Sequence, residues 1–341
     1  MGGFVSGEMC AYLGRCMKKW QTNLIKLVVM LSIIGLVVWR MKTTWDGVQD
    51  PQLHVDWRFG ALAMLFFCLS MLASSLVWLW LTRKMGDRSR KLPAIGAYIF
   101  SQMGKYVPGK VMLLFMRMER TKRLGMNPQV CIVATLAENA MYMVSGGLVA
   151  MITVMIFYRD RPWTVVGVGA GVLVLMAAFY PRVFYWAVNK ALVKMKQPPV
   201  EEAQQLGKTE LFMAVLGFMP CWLFGGLALW CSTRAITLRI GGEDLWPLPG
   251  LYALSVTGGM ASMLPGGLGS REAIMALGLM KVLENNAKAV AIAVGVQRLM
   301  QILAEVIMGA TGAVLTSVKR LRRVKHVVNA EGEMLNAERP N

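Results

Sequence analysis

MGKYVPGKV, residues 103–111, sets Gly104, Pro108 and Gly109 beside two lysines, Lys105 and Lys110, in the middle of an apolar chain. A continuous membrane helix resists that mixture, because proline lacks an N–H and glycine loosens the backbone. A second stretch, SMLPGGLGSRE at 262–272, repeats the conflict with Pro265, Gly266, Gly267, Gly269, Arg271 and Glu272. The two prolines stand 157 residues apart. How these breaks are read decides the fold.

The chain around them is built for lipid. Of 341 residues, 56% are hydrophobic and 16% charged, and the mean hydropathy is +0.49. That composition is a polytopic membrane protein, not a soluble domain. The net charge of +18 sits in short loops and tails, where basic residues orient helices and meet anionic lipid. No nucleic-acid partner is expected. Cys68, Cys131, Cys221 and Cys231 fall in apolar stretches, Cys10 and Cys16 precede the first span, and there is no CxxC. A disulfide framework or zinc site is therefore not expected. The two histidines, His54 and His326, lie in a loop and a tail, so neither a histidine base nor a cofactor is expected. Lys18 and Lys19 precede an apolar run with no small-residue cleavage site, which reads as an uncleaved signal anchor. Met1–Ser6 matches an acylation pattern too short to carry an argument.

A lipid core of about 30 Å needs roughly 20 apolar residues per helix. Six stretches are read as full spans: 24–39, 59–81, 129–158, 163–188, 211–233 and 289–318. Two more, 92–116 and 248–280, contain the broken motifs. Basic residues test the count. Arg83, Lys84, Arg88, Arg90 and Lys91 precede the first motif, and Arg117, Arg120, Lys122 and Arg123 follow it. Both flanks are thus cytoplasmic, and the motif dips in and returns. The expected fold is an all-α polytopic membrane protein of about six full transmembrane helices plus two re-entrant helical hairpins. They form two inverted-topology halves, 24–158 and 163–318, within a membrane domain 24–320. A short N-terminal segment, 1–23, and a basic, then disordered tail, 321–341, complete the reading. Both termini are expected on the cytoplasmic side of a bacterial-type inner membrane.

Chemistry follows from the breaks. Proline suits the first position of a helix, so Pro108-Gly109 and Pro265-Gly266-Gly267 are read as starts of returning half-helices. Their free N–H groups and dipole ends attract phosphate, and Lys105, Lys110 and Arg271 add full positive charge. The blander reading makes each Pro-Gly a simple turn or kink. Glu138 and Arg298 each lie nine residues into a span, about 14 Å deep. A charge at that depth needs a partner or a wet cavity. The expectation is that the two face a central cavity and pair, with Glu305 as a second partner two turns after Arg298. The null is an ion pair that only locks the bundle. Glu272, in a first turn, is read either as a cap or as a proton or headgroup-amine site.

QMGKYVPGKVMLLFMR, then Glu138, MLPGGLGSREA and VQRLMQILAEVIMGATG resemble the transmembrane domain of the lysylphosphatidylglycerol synthase/flippase family. The likeness covers about 20–320. It implies paired re-entrant helices that move a lipid or lipid-linked headgroup between leaflets. Residue by residue it points to Pro108, Gly109, Arg117, Glu138, Pro265, Gly266, Gly267, Gly269, Glu272 and Arg298. In the synthase members an aminoacyl-transferase domain follows the membrane part. None follows within these residues, so the expectation is a stand-alone flippase-like chain whose partners are membrane lipids with an anionic headgroup. Two alternatives stay open: an intramembrane enzyme of lipid or polyprenyl-glycan metabolism, and a membrane subunit that recruits such an enzyme. A homo-oligomer is compatible with all three.

Overall fold

The computed structural model describes residues 35, 55–106, 111–157, 160, 162–178, 180–194, 199–200, 205–262, 264–267 and 269–337. Most of these residues are helical, with no sheet among them. The helices are α1 (Trp57–Lys84), α2 (Lys91–Ser101), α3 (Val111–Lys122), α4 (Pro128–Phe157), α5 (Pro162–Ala178) and α6 (Pro181–Lys194). There follow α7 (Lys208–Gly217), α8 (Met219–Arg234), α9 (Leu248–Ala261), α10 (Ser270–Val282) and α11 (Ala287–Ala337). Short 3-10 turns at Gln102–Tyr106 and Pro265–Gly267 interrupt the chain after α2 and before α10.

Helix ends follow local chemistry. Asp56 caps α1, its carboxylate accepting from the Arg58 N–H at 2.9 Å. Arg83 and Lys84 close the other end, where cations suit the dipole. Asn127 accepts from the Gln129 N–H at 2.9 Å just ahead of Pro128, the first residue of α4. Before α10 the chain must turn through positive φ three times, at Gly266 (60°), Gly267 (69°) and Gly269 (81°). Residues with a Cβ resist that region, which explains the LPGGLG wording.

Among the described residues, four regions are long and apolar enough to cross a membrane: 57–84, 128–157, 208–234 and 287–316. They match four of the six expected spans. The stretch 24–39 lies outside the described residues, apart from helical Gly35. The stretch 163–188 is not one continuous helix but two, α5 and α6, because Pro181 opens a new helix and cannot extend the old one. The span expected at 211–233 bends between α7 and α8 at Phe218, where Pro220 falls in the first turn. α11 also runs on through the stretch expected to be a disordered tail. That stretch is rich in Lys, Arg, Leu and Glu, strong helix formers, with no proline before Pro340.

By contrast α2, α3, α9 and α10 have 11, 12, 14 and 13 residues. At 1.5 Å per residue none exceeds about 21 Å, too short for the lipid core.

Packing exchanges the two halves of the chain. α1 lies along α8, while α2 packs on α11 and α9 packs on α4. The first helix of each short pair thus rests on the long last helix of the other half, while the second, α3 or α10, rests on the long helix of its own half. Glycines permit the crossings. A Cβ on Gly96 would come within 2.8 Å of the Leu315 Cβ, and one on Gly250 within 2.0 Å of the Thr153 hydroxyl. Two apolar clusters fill the interior, one around Trp78, Tyr98 and Phe218, the other around Trp222, Tyr252 and Leu279. Leu65, Leu76 and Ile152 point outward, as lipid-facing positions do.

Candidate functional site

Two buried ionic clusters form where the short helices meet the long ones. The first joins α2, α3 and α4. Arg117, fully buried, forms an ion pair with Glu138. Its Nε donates to Ser101 Oγ at 3.0 Å and its NH1 to Thr135 Oγ1 at 3.2 Å. Trp78 Nε1 donates to the same Thr135 oxygen at 3.2 Å, and the Tyr98 hydroxyl donates to Glu138 Oε1 at 2.5 Å. The guanidinium lies 4.0 Å from the centre of the Tyr98 ring and 5.1 Å from that of Trp78. Tyr98 and Ser101 sit three residues apart on α2, as do Thr135 and Glu138 on α4, so each pair shares a helix face. The cation is neutralised, stacked and hydrogen-bonded, which is what a buried charge needs to be tolerated.

The second cluster lies between the two broken motifs and α11. Lys105 and Tyr106, from the first 3-10 turn, bind the two oxygens of Glu305 at 2.6 and 2.7 Å. Gln301, one turn earlier on α11, donates to Glu305 Oε1 at 2.7 Å. Arg298 Nε stands 3.2 Å from Glu272 Oε1, and its NH2 donates to the Gly266 carbonyl at 3.2 Å. Glu272 Oε2 also accepts from the Gly269 N–H at 2.7 Å and so caps α10, the first of the two readings given for it. A Cβ at Gly266 would meet the Tyr106 ring at 3.3 Å and Arg298 NH2 at 3.4 Å. The two motifs therefore touch.

This second cluster is not saturated. Arg271 is only 7% exposed, yet its Nε and NH2 have no hydrogen-bond partner. The same holds for Gln297 Nε2, Arg298 NH1, and Arg298 Nε, whose approach to Glu272 lacks hydrogen-bond alignment. Arg271 lies 5.1 Å from the centre of the Tyr252 ring. It is close enough to Lys105, Tyr106 and Glu305 to interact electrostatically with each. Buried donors without acceptors are costly, and seldom left so.

The structure thus brings Lys105, Gly266, Arg271, Glu272, Arg298 and Glu305 together, with Gly267 and Gly269 shaping the turn. Of Pro265 the backbone alone is described, in its 3-10 turn. Pro108, Gly109 and Lys110 lie outside the described residues. Arg117 and Glu138 belong to the other cluster. The expected Glu138–Arg298 pair is therefore corrected. Equal depth suggested it, but Glu138 faces Arg117 on the neighbouring α3, and Arg298 faces Glu272 on α10. Among the described residues no group of His, Cys, Asp and Glu could hold a metal ion.

Sequence reasoning missed Tyr98, Tyr106, Tyr252, Gln297 and Gln301. One signal was present. Tyr98 and Tyr252 are 154 residues apart, as are Arg117 and Arg271, so each half places an arginine 19 residues after a tyrosine. In both halves the guanidinium ends up against that ring, at 4.0 and 5.1 Å.

Residues 23–309 match the family described as the Lysylphosphatidylglycerol synthase TM region, and the chain belongs to that family. A comparison with curated proteins found no match.

Proposed function

We propose that this membrane protein is a translocase for a lipid or lipid-linked headgroup, and that it takes an anionic headgroup at the junction of the two broken motifs. The observation that carries the reading is their convergence. Lys105 and Tyr106 from the first motif, and Gly266 and Glu272 from the second, all bind residues of one face of α11, Arg298 and Glu305. Motifs 157 residues apart in sequence have no reason to meet at a buried charged site if each is merely a turn. Broken helices meeting near mid-membrane are the usual build of a transporter binding site.

Further features support inverted halves. Short helices that cannot span lipid come in two pairs, each at the same place in its half, and the first helix of each pair packs on the long helix of the other half. In this reading α2–α3 enters from the cytoplasmic side and α9–α10 from the other, in a bacterial-type inner membrane. Acyl tails remain in lipid while the headgroup crosses between the halves. Any partner enzyme or second copy would act around this core.

The test is leaflet exchange in liposomes holding the purified chain and fluorescent lipids of several headgroups. Exchange of at least one anionic lipid faster than in protein-free liposomes is expected. Exchange no faster for every anionic lipid would sink the proposal.

A further inference from the structure

α6 turns outward a face that neither water nor lipid alone would accept. Its buried stripe, Phe184, Tyr185, Val188 and Leu192, packs into the apolar cluster that holds Val200, Leu206 and Leu211. The Tyr185 hydroxyl accepts from the Leu206 N–H, and Asn189 Oδ1 accepts from the Val200 N–H at 3.0 Å. α6 is thereby fastened to the connection that leads into α7. On the opposite side Arg182, Trp186 and Lys190, four residues apart, share one exposed face. Trp186 is 65% exposed, and Val183 and Val193 stand out beside it. Lys190 Nζ lies 5.1 Å from the centre of the Trp186 ring. Lys208 Nζ lies 4.9 Å from the centre of the Tyr180 ring, and Arg182 also interacts electrostatically with that tyrosine. α6 has no acidic residue. Among the described residues no carboxylate pairs with Arg182, Lys190 or Lys208.

Position supplies the partner. α5 is an apolar helix of 17 residues, about 26 Å long. That is within one turn of the lipid core, about 30 Å thick. Trp163 stands exposed at the start of α5, so α6 opens, at Pro181, where the opposite headgroup layer begins. In that layer a tryptophan and valines dip toward acyl chains while lysine and arginine reach phosphates. Water would leave the apolar members bare, and the lipid core would leave the cations unpaired. We infer that α6 lies in the headgroup layer and that Arg182, Lys190 and Lys208 hold anionic lipids there. This surface site is separate from the buried cluster between the two motifs. Its lipids brace α6 and, through Tyr185 and Asn189, the connection to α7. Anionic lipid content thereby sets how firmly that corner of the bundle is held.

The full chain is placed in nanodiscs of phosphatidylcholine alone and of phosphatidylcholine mixed with phosphatidylglycerol. Backbone hydrogen exchange is followed over 181–194. Exchange there is expected to slow about fivefold in the mixed discs, a difference that high salt erases. Arg182→Gln with Lys190→Gln should remove most of that slowing. Lys190→Arg, and Arg123→Gln elsewhere on the surface, should keep it. Trp186→Ser should speed exchange in both kinds of disc, since the apolar hold is lost. If the double variant does not fold, Lys190→Gln alone carries the test and should reduce the slowing. Equal exchange in the two discs for the unaltered chain overturns the inference, as does slowing that survives in the folded variants. Inorganic phosphate producing the same slowing in neutral discs overturns the lipid assignment. Slowing seen only in native membranes gives the face to a protein partner and overturns it too. Leaflet exchange is not read, so failure of the transport proposal leaves this one standing.

Discussion

The two arginine clusters start from the same parts and end in opposite states. In the first, a tyrosine, a tryptophan, a serine, a threonine and Glu138 close around Arg117, leaving only its NH2 unpaired. In the second, Arg271 keeps the tyrosine and lacks the acid. A complete network holds the bundle in one arrangement, whereas an incomplete one stores an unmet demand for an anion. One carboxylate, present beside Arg117 and absent beside Arg271 among the described residues, is the difference between them.

That contrast can be broken by mutation. Arg117→Ala leaves Glu138 buried beside a lost cation, and should destabilise the protein by about 3–5 kcal/mol. Thermal unfolding in detergent reads this. The double change Arg117→Met with Glu138→Leu should recover most of the loss, since the buried charges leave together. No recovery would mean the first cluster does more than hold the fold. Gly250→Ala should cost about 1–3 kcal/mol, because the new methyl meets the Thr153 hydroxyl and the Val149 carbonyl on α4. Arg271→Gln should leave the melting temperature unchanged or raise it, because it removes a buried cation that has no counter-ion. A large loss of stability there would make the two clusters alike and defeat the comparison. Arg123→Ala, on the exposed pair with Glu119, should change neither stability nor binding.

Much of this was legible in the chain. The two Pro-Gly motifs, the buried positions of Glu138 and Arg298, and the family all follow from residues and their order. Pairing was not legible, because depth along a helix says nothing about which neighbour it faces. Glu138 and Arg298 lie at similar depth, but α3 packs on α4 and α10 on α11, so each meets a partner from its own half rather than the other. Tyr98 and Tyr252 were hidden for another reason. A tyrosine in an apolar stretch looks like core, and its hydroxyl acquires meaning only once the arginine 19 residues later is folded beneath it. The break at Pro181 was readable, yet the unbroken hydropathy from 163 to 188 outweighed it.

The exchange of α2 and α9 has a consequence for descent as well as for motion. A chain carrying one half alone would have its first short helix with nothing beneath it and part of its long helix left bare. It could satisfy both only by trading those elements with a second copy, as domain-swapped partners do. In the inverted arrangement proposed above, that copy would have to be inserted the other way up. A half-length ancestor of this protein would therefore have been an obligate dimer of opposite orientations. Within a single chain the halves are free to differ, as Arg117 with its acid and Arg271 with none among the described residues do.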